Sequence, residues 1–444
     1  MSIQVPASPI SRLLAMMLRQ ALNACHAGKA LRRVLKKDGG VLTIGSRQYA
    51  LHNYERVVVV GAGKATAMMA QAIEPLLGRR LHSGMVIVKY GHAVPTRRIT
   101  VKEAGHPIPD RAGLAATKRL LGITSSLTER DLLIVLLSGG ASSLMPAPVR
   151  GVTLADKRRV TGQLLRCGAS IGEINAVRKH LSDIKGGRLA ASTRATIVTL
   201  ILSDVLGDDL SAIASGPTAP DPTTYADAID WLKRYRLWSS APHSVRTHLE
   251  QGRRGHHAET PKPGAPLFRK THHAIIGNNE MALTALTSAA ASAGLRTILH
   301  PVLTGEARVA GSHVGSIAHG ILTQKEPKLK RCCVVAGGET TVVVGGRGRG
   351  GRAQEFAVAA AQTIAGLPKV WVAAIGTDGT DGPTDVAGAL VNGDTWRRAR
   401  RIGVDLSLAL KQNDTYPALK RLRSHITTGP TGTNVNDLYL LFVL

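Results

Sequence analysis

The chain has 444 residues, 44% hydrophobic and 20% charged, enough for two domains with their own cores and not the composition of a disordered protein. Lys and Arg outnumber Asp and Glu 57 to 30, a formal net charge of +27 that suits an anionic substrate or a nucleic acid. An aromatic content of 3%, with no helix-turn-helix, zinc-finger or RNP pattern, argues against nucleic acid, and no apolar run is long enough to span a bilayer.

In chain order, Ile10, Leu13, Leu14, Met17, Leu18 and Leu22 recur at helical spacing. An amphipathic helix explains this segment better than a targeting peptide, although the first 37 residues carry no acidic side chain. Short runs of Val, Ile and Leu at 56–60, 84–89, 132–137 and 197–202 then alternate with helical patterns at 64–77, 111–122 and 154–167. Alternating β and α elements predict a doubly wound parallel sheet. Between 248 and 266 the pattern dissolves into Gly, Pro and charge, and a new rhythm starts at Ala274-Ile-Ile-Gly277. Further strands are expected near 296–300, 332–336, 340–344, 370–375 and 438–443. The expected organisation is thus an α/β domain over 1–247, a linker over 248–266 and a smaller α/β domain over 267–444, with the active site in the cleft between them. Cys25, Cys167, Cys332 and Cys333 form no metal quartet and no C-x-x-C pair; the adjacent two read as buried strand thiols.

Gly-, Ser- and Asp-rich signatures close most of these apolar runs, which is where α/β folds handle phosphate. In Gly61-Ala-Gly63-Lys64-Ala65-Thr66 a strand stops at two glycines and a lysine before a helix, favouring an anion at the helix N-terminus. Threonine replaces the third glycine of a dinucleotide fingerprint, and the spacer of a P-loop is missing. Ser138-Gly139-Gly140-Ala-Ser142-Ser143 and Ser215-Gly-Pro-Thr218 read as anion-binding turns of small donors. No Gly-x-Ser-x-Gly elbow supports a serine hydrolase. Arg178 and Ser182 share a helix face at i, i+4 spacing. Asp204, Asp208, Asp209, Asp378 and Asp381 follow apolar strands, where carboxylates can hold Mg²⁺, accept a hydroxyl proton, or simply cap helices and form turns. Asp204 and Asp378 follow the longest apolar runs. Three arginines punctuate Gly345-Gly-Arg347-Gly-Arg349-Gly-Gly351-Arg352, a loop suited to close approach by a phosphoryl or carboxylate group, or else a flexible linker. Among the sixteen histidines only His106, in Gly105-His106-Pro-Ile-Pro-Asp110, sits in a motif-like loop, and a Pro-flanked turn accounts for it.

Taken in order, Gly61 to Ala65, Gly105 to Asp110, Ser138 to Ser142, Glu173 to Ser182, Ser203 to Val205, Ala214 to Thr218, Gly376 to Gly379 and Thr428 to Asp437 resemble the glycerate 2-kinases whose C-terminal part is called the MOFRL domain, here about 330–440. The resemblance runs from about residue 10 to the C-terminus. It implies a Rossmann-like first domain and ATP-dependent, Mg²⁺-requiring phosphorylation of D-glycerate to 2-phosphoglycerate. It also implies that Lys64 and Arg352 form the catalytic pair and that Glu339, Asp378 and Asn434 line the cleft. Where the family commonly reads Gly-Gly-Arg-Asn-Gln-Glu, this chain has Ala353 after Arg352, so no role passes to an asparagine there. A competing reading, an NAD(P)H-dependent hydroxypyruvate reductase, rests on Gly61-Ala-Gly63 alone; Val88-Lys89-Tyr90 stands where a ribose-binding acid belongs. The expected setting is cytoplasmic, with small-molecule substrates, no membrane or nucleic-acid partner, and room for a homodimer.

Overall fold

The computed structural model describes residues 2–323 and 331–444, which form two compact units: Ala27–Ile276, and Met1–His26 together with Gly277–Leu444.

The unit Ala27–Ile276 opens with the helix Ala27–Val34, followed by an antiparallel meander of β1 (Leu35–Asp38), β2 (Val41–Ile44) and β3 (Arg47–Ala50). Its main sheet holds β4 (Val57–Ala62), β5 (Leu81–Lys89), β6 (Ile99–Ala104), β7 (Leu132–Ser138), β8 (Thr196–Leu202) and β9 (Thr271–Gly277), in the order β6-β5-β4-β7-β8-β9. β5 with β6, β5 with β4, β4 with β7, and β7 with β8 all pair parallel. Every residue of β4 and β7 is buried, as expected of strands covered on both faces, and this is why they read as unbroken apolar runs. From β4 the chain builds outward through β5 and β6 on one side, then through β7 to β9 on the other. The order therefore reverses between β4 and β7, and in a doubly wound sheet the ligand crevice lies at the C-terminal ends of the strands at that point.

The other unit carries a mixed sheet of β10 (Arg296–Leu299), β11 (Leu303–Glu306), β12 (Cys332–Thr341), β13 (Val370–Gly376), β14 (Gly388–Asn392), β15 (His425–Ile426) and β16 (Asp437–Val443). β10 and β11 pair parallel with β12, whereas β16 runs antiparallel between β12 and β13. The register aligns Asp437 with both Gly338 and Gly376, so the ends of β12 and β13 meet the start of β16 at one sheet edge. Cys332 and Cys333 are buried strand thiols, as expected.

Four features differ from the sequence expectation. The first helix, Ser11–Cys25, belongs with the C-terminal unit and not with a domain spanning 1–247. Its apolar face, including Leu14, Met17, Leu18 and Leu22, is buried, and it packs on the helix Asn279–Ser292. The expected linker 248–266 is part of the first unit, pinned by polar contacts: Glu259 accepts from the Tyr225 amide at 2.8 Å and lies 3.1 Å from His180 Nε2, while Thr260 donates to Asp221 at 3.0 Å. A segment anchored by hydrogen bonds has no apolar periodicity to announce it. The run at 274–277, expected to begin the second domain, completes β9 of the first sheet. Beyond Thr341 the chain leaves the sheet, so no separate strand forms at 340–344; Val343 and Val344 are 68% and 75% exposed. No helix among the described residues is long and apolar enough to cross a membrane.

Arg56 and Asp131 clasp the N-terminal ends of β4 and β7. Arg56 donates through Nε and Nη2 to the two Asp131 oxygens at 3.0 and 2.6 Å, and Asp131 also accepts from the Thr128 amide at 2.8 Å. Burial pushes the Asp131 carboxyl up, but the Arg56 and Thr128 hydrogen bonds outweigh it and bring it down to about 2. A carboxyl depressed on folding contributes stability above its unfolded value, near 4, and loses it as pH falls toward 2. Asp131→Asn should remove about 2 kcal/mol at neutral pH and little at pH 2, so its denaturation midpoint should converge on the wild type in acid; parallel curves across pH would contradict this assignment.

Candidate active site

In the first unit, β4 ends in a turn that admits no side chains. A Cβ on Gly61 would lie 2.1 Å from the Leu136 carbonyl oxygen, and one on Gly63, at φ 141°, 2.1 Å from Ser138 Oγ. The two glycines let β4 and the end of β7 run in contact. Lys64 donates its amide to the Gly139 carbonyl at 2.9 Å, the Ala65 amide donates to Ser138 Oγ at 3.0 Å, and the helix Thr66–Leu77 follows. Gly61, Gly63, Lys64, Ser138, Gly139 and Gly140 thus form one structure at the point where the strand order reverses. His106 packs against Gly140. Burial first, then the charges of Lys64 and Lys89, push its imidazole down to about 4, so it is neutral near pH 7. The short helix Ala141–Leu144 carries Ser142, which receives a hydrogen bond from Arg178 and shares another with Ser215 at 2.7 Å. Asp204 follows β8, half-buried. Asp209 accepts from the Ser211 amide and hydroxyl at 2.8 and 3.1 Å and behaves as a turn former.

In the second unit the Gly345–Gly351 loop is not a free linker. Asn413 Oδ1 accepts from the amides of Gly345 and Gly346 at 3.0 and 2.9 Å, the Arg349 amide donates to Asp414 at 2.8 Å, and the Arg349 guanidinium lies over Tyr416 at 4.3 Å. The helix Arg352–Thr363 begins on Asp381, whose carboxylate accepts from the amides of Ala353 and Gln354 at 3.0 and 2.9 Å. This is the capping role left open for that aspartate. Arg352 forks onto buried Asp437, with Nε and Nη2 at 2.7 and 3.0 Å from its oxygens, and reaches Glu339 through Nη1 at 2.8 Å. Burial raises the Asp437 carboxyl, which also accepts from Tyr439 at 3.0 Å. Burial likewise opposes the charge on Arg352, but Asp437 and Glu339 outweigh it and keep the guanidinium cationic. Asp378 accepts from Thr380 Oγ1 at 3.0 Å, one residue beyond Thr377. Thr377 Oγ1 accepts from the Val435 amide at 2.9 Å and donates to the Asn436 carbonyl at 2.6 Å, which ties the Asp378 loop to the loop carrying Asn434. Glu339, Arg352, Asp378 and Asn434 therefore gather where β12, β13 and β16 meet.

Residues 13–250 match the family model described as Domain of unknown function (DUF4147), and residues 332–437 match the MOFRL family. A glycerate 2-kinase of Pyrococcus horikoshii is 40% identical over 426 residues, covering 96% of this chain and 95% of that protein. The crystal structure of a glycerate kinase from Thermotoga maritima superposes with a TM-score of 0.85 at 38% identity, covering 98% and 99% of the two chains. The chain belongs to the glycerate kinase family. A relative from Agrobacterium vitis, 42% identical over 434 residues and 96% of each chain, carries a provisional hydroxypyruvate reductase name.

Within this glycerate kinase chain the MOFRL match spans Glu339 to Asp437, while the N-terminal match spans Lys64, the Ser138 turn, Arg178, Asp204 and Ser215. Sequence reasoning missed the supports behind these residues. Asp437 closes the quoted Thr428 to Asp437 motif but reads as one more strand-edge acid. His106 was explained by its prolines, and its contact with Gly140 has no signal in the sequence. Among the described residues no three or more His, Cys, Asp and Glu side chains cluster as a resident metal site.

Asp381→Ala would leave the buried amides of Ala353 and Gln354 without an acceptor. A loss of about 2 kcal/mol is expected in denaturant unfolding; an unchanged midpoint would mean that Asp381 does not hold the helix start.

Proposed function

We propose that this chain transfers the γ-phosphoryl group of ATP to the 2-hydroxyl of D-glycerate, yielding 2-phosphoglycerate and ADP. The observation that carries the reading is the placement of Lys64, fixed by the Gly61-Ala-Gly63 turn at the strand-order reversal of a chain similar to glycerate 2-kinases over nearly its whole length. Phosphoryl transfer needs in-line placement and charge stabilisation more than covalent help. The reading gives Lys64 and Arg352 the neutralisation of charge on the transferring group. The turn at Ser138, Gly139 and Gly140 receives anionic oxygens, and Glu339 and Asn434 contact substrate or nucleotide. Asp204 or Asp378 takes the proton of the acceptor hydroxyl as the new O–P bond forms and the bond to ADP breaks, or holds Mg²⁺. Mg²⁺ that arrives with nucleotide phosphates needs only one or two protein carboxylates, so these aspartates fit it without a larger cluster. Held by either carboxylate, the ion would supply positive charge to offset that of the phosphates.

The reductase reading keeps only the Gly-x-Gly turn in its favour, since β5 ends on Lys89 where a ribose-binding acid is needed. The kinase reading is compatible with a cytoplasmic setting, needs no nucleic-acid or membrane partner, and is compatible with a homodimer.

Lys64→Met should lower the rate of D-glycerate-dependent ADP release by roughly 10² to 10³, and Arg352→Met by a similar factor, with thermal melting retained. A folded Lys64→Met protein with wild-type turnover would remove Lys64 from the mechanism.

A further inference from the structure

Half-buried Ser142 lies at the centre of a cluster of cations in the first unit, in which Arg178 is half-buried and Lys157 and Lys185 are buried. Arg178 donates to its hydroxyl, and Lys185 Nζ donates to its carbonyl at 2.8 Å. The Ser142 hydroxyl shares its hydrogen with Ser215, which in turn donates to Asn175 Oδ1 at 2.9 Å. Lys157 Nζ donates to the Leu181 carbonyl at 3.0 Å. Lys185 and Lys157 are 1% and 6% exposed. Among the described residues, no carboxylate lies within the 4.0 Å ion-pair distance of Lys157, Arg178 or Lys185. Lys179, beside Arg178 on the same helix, is the contrast: its buried ammonium pairs with Asp221 at 3.2 Å. An opposing charge, Asp183, acts on Lys157, and its own carboxyl is raised by burial. Burial lowers Lys157, Arg178 and Lys185 from their ordinary values, and repulsion from Arg178 adds to it at both lysines, with Lys157 brought down to about 7. Buried charges are ordinarily paired, so a cluster with this surplus is short of an anion. The backbone is also strained toward it: Ala214 and Ser215 both adopt left-handed conformations, at φ 54° and 61°.

We propose that Arg178, Lys185, Ser142 and Ser215 form the subsite that takes the carboxylate of the acceptor hydroxy acid, with Lys157 behind them adding positive potential. The assignment rests on the kinase reading for its substrate. Two observations favour a carboxylate over a nucleotide phosphate. Phosphates seek free backbone amides, yet those of Ser143, Leu144 and Met145 are spent on the carbonyls of Gly140 and Ala141. The front of the same turn is bonded to Lys64, so the phosphoryl-handling lysine and the cation cluster flank one short segment. An acid whose reacting hydroxyl sits on the carbon next to its carboxylate spans such a segment, and the arginine fork matches a carboxylate.

The test measures KM for D-glycerate and for ATP separately in Lys185→Met and Arg178→Lys, with D-glycerate binding followed by saturation-transfer NMR without ATP. The expected result is a rise of at least about tenfold in KM for D-glycerate, with KM for ATP within about twofold, and loss of the NMR signal. Glycerol, which lacks the carboxylate, should be used equally poorly by wild type and variants. A raised KM for ATP with that for D-glycerate unchanged would reassign the cluster to the nucleotide, and no change in either would make it structural; both overturn the proposal. Should Lys185→Met fail to fold, Ser215→Ala removes one donor and is expected to show the same split at smaller size. If the wild type phosphorylates nothing, the kinase reading fails alone, and the NMR arm decides: D-glycerate binding lost in the variants upholds the subsite, and no binding to wild type overturns it.

Discussion

The contact between β4 and the end of β7 is the constraint on which the Lys64 turn and its surroundings depend. Two backbones lie so close there that neither position 61 nor position 63 can carry a Cβ. That closeness lets the Lys64 amide bond the Gly139 carbonyl and fixes the start of the helix Thr66–Leu77. It also puts the Ser138 turn beside the lysine, so its short helix presents Ser142 to Arg178 and Lys185. The conformation of the Lys64 turn and its bonding to the Ser138 turn both follow from this one close approach.

The second unit solves a similar problem with register. β16 runs between β12 and β13, and Asp437 opens it opposite both Gly338 and Gly376. A carboxylate buried at that junction needs a cation, and Arg352 meets it with a two-point fork while Asp381 holds the first turn of its helix. Arg352 is thereby oriented from the sheet and from its own helix start, the fixed placement that the proposed charge-neutralising role requires.

Much of this was legible in the sequence. β4, β7 and β13 are fully buried strands and β8 is buried beyond its first residue, and continuous apolar runs announce such strands without tertiary information. The glycine turns after them read as functional because backbone closeness leaves a compositional mark. Elements held by polar contacts were not legible. The 248–266 segment looks like a linker because Glu259 and Thr260 anchor it through hydrogen bonds, and the first helix carries nothing that says which unit its apolar face will cover. The supports of the site were hidden for the same reason. Lys185 and Asp437 are ordinary charged letters until the fold buries them and supplies partners, or withholds them.

The most direct test of the account is to incubate the purified protein with D-glycerate, ATP and Mg²⁺ and to identify the product by phosphorus NMR, with hydroxypyruvate and NADH run in parallel. The account predicts 2-phosphoglycerate formed in step with ADP and no NADH consumption. Oxidation of NADH without any phosphorylated product would contradict it and return the Gly61-Ala-Gly63 turn to a nicotinamide role.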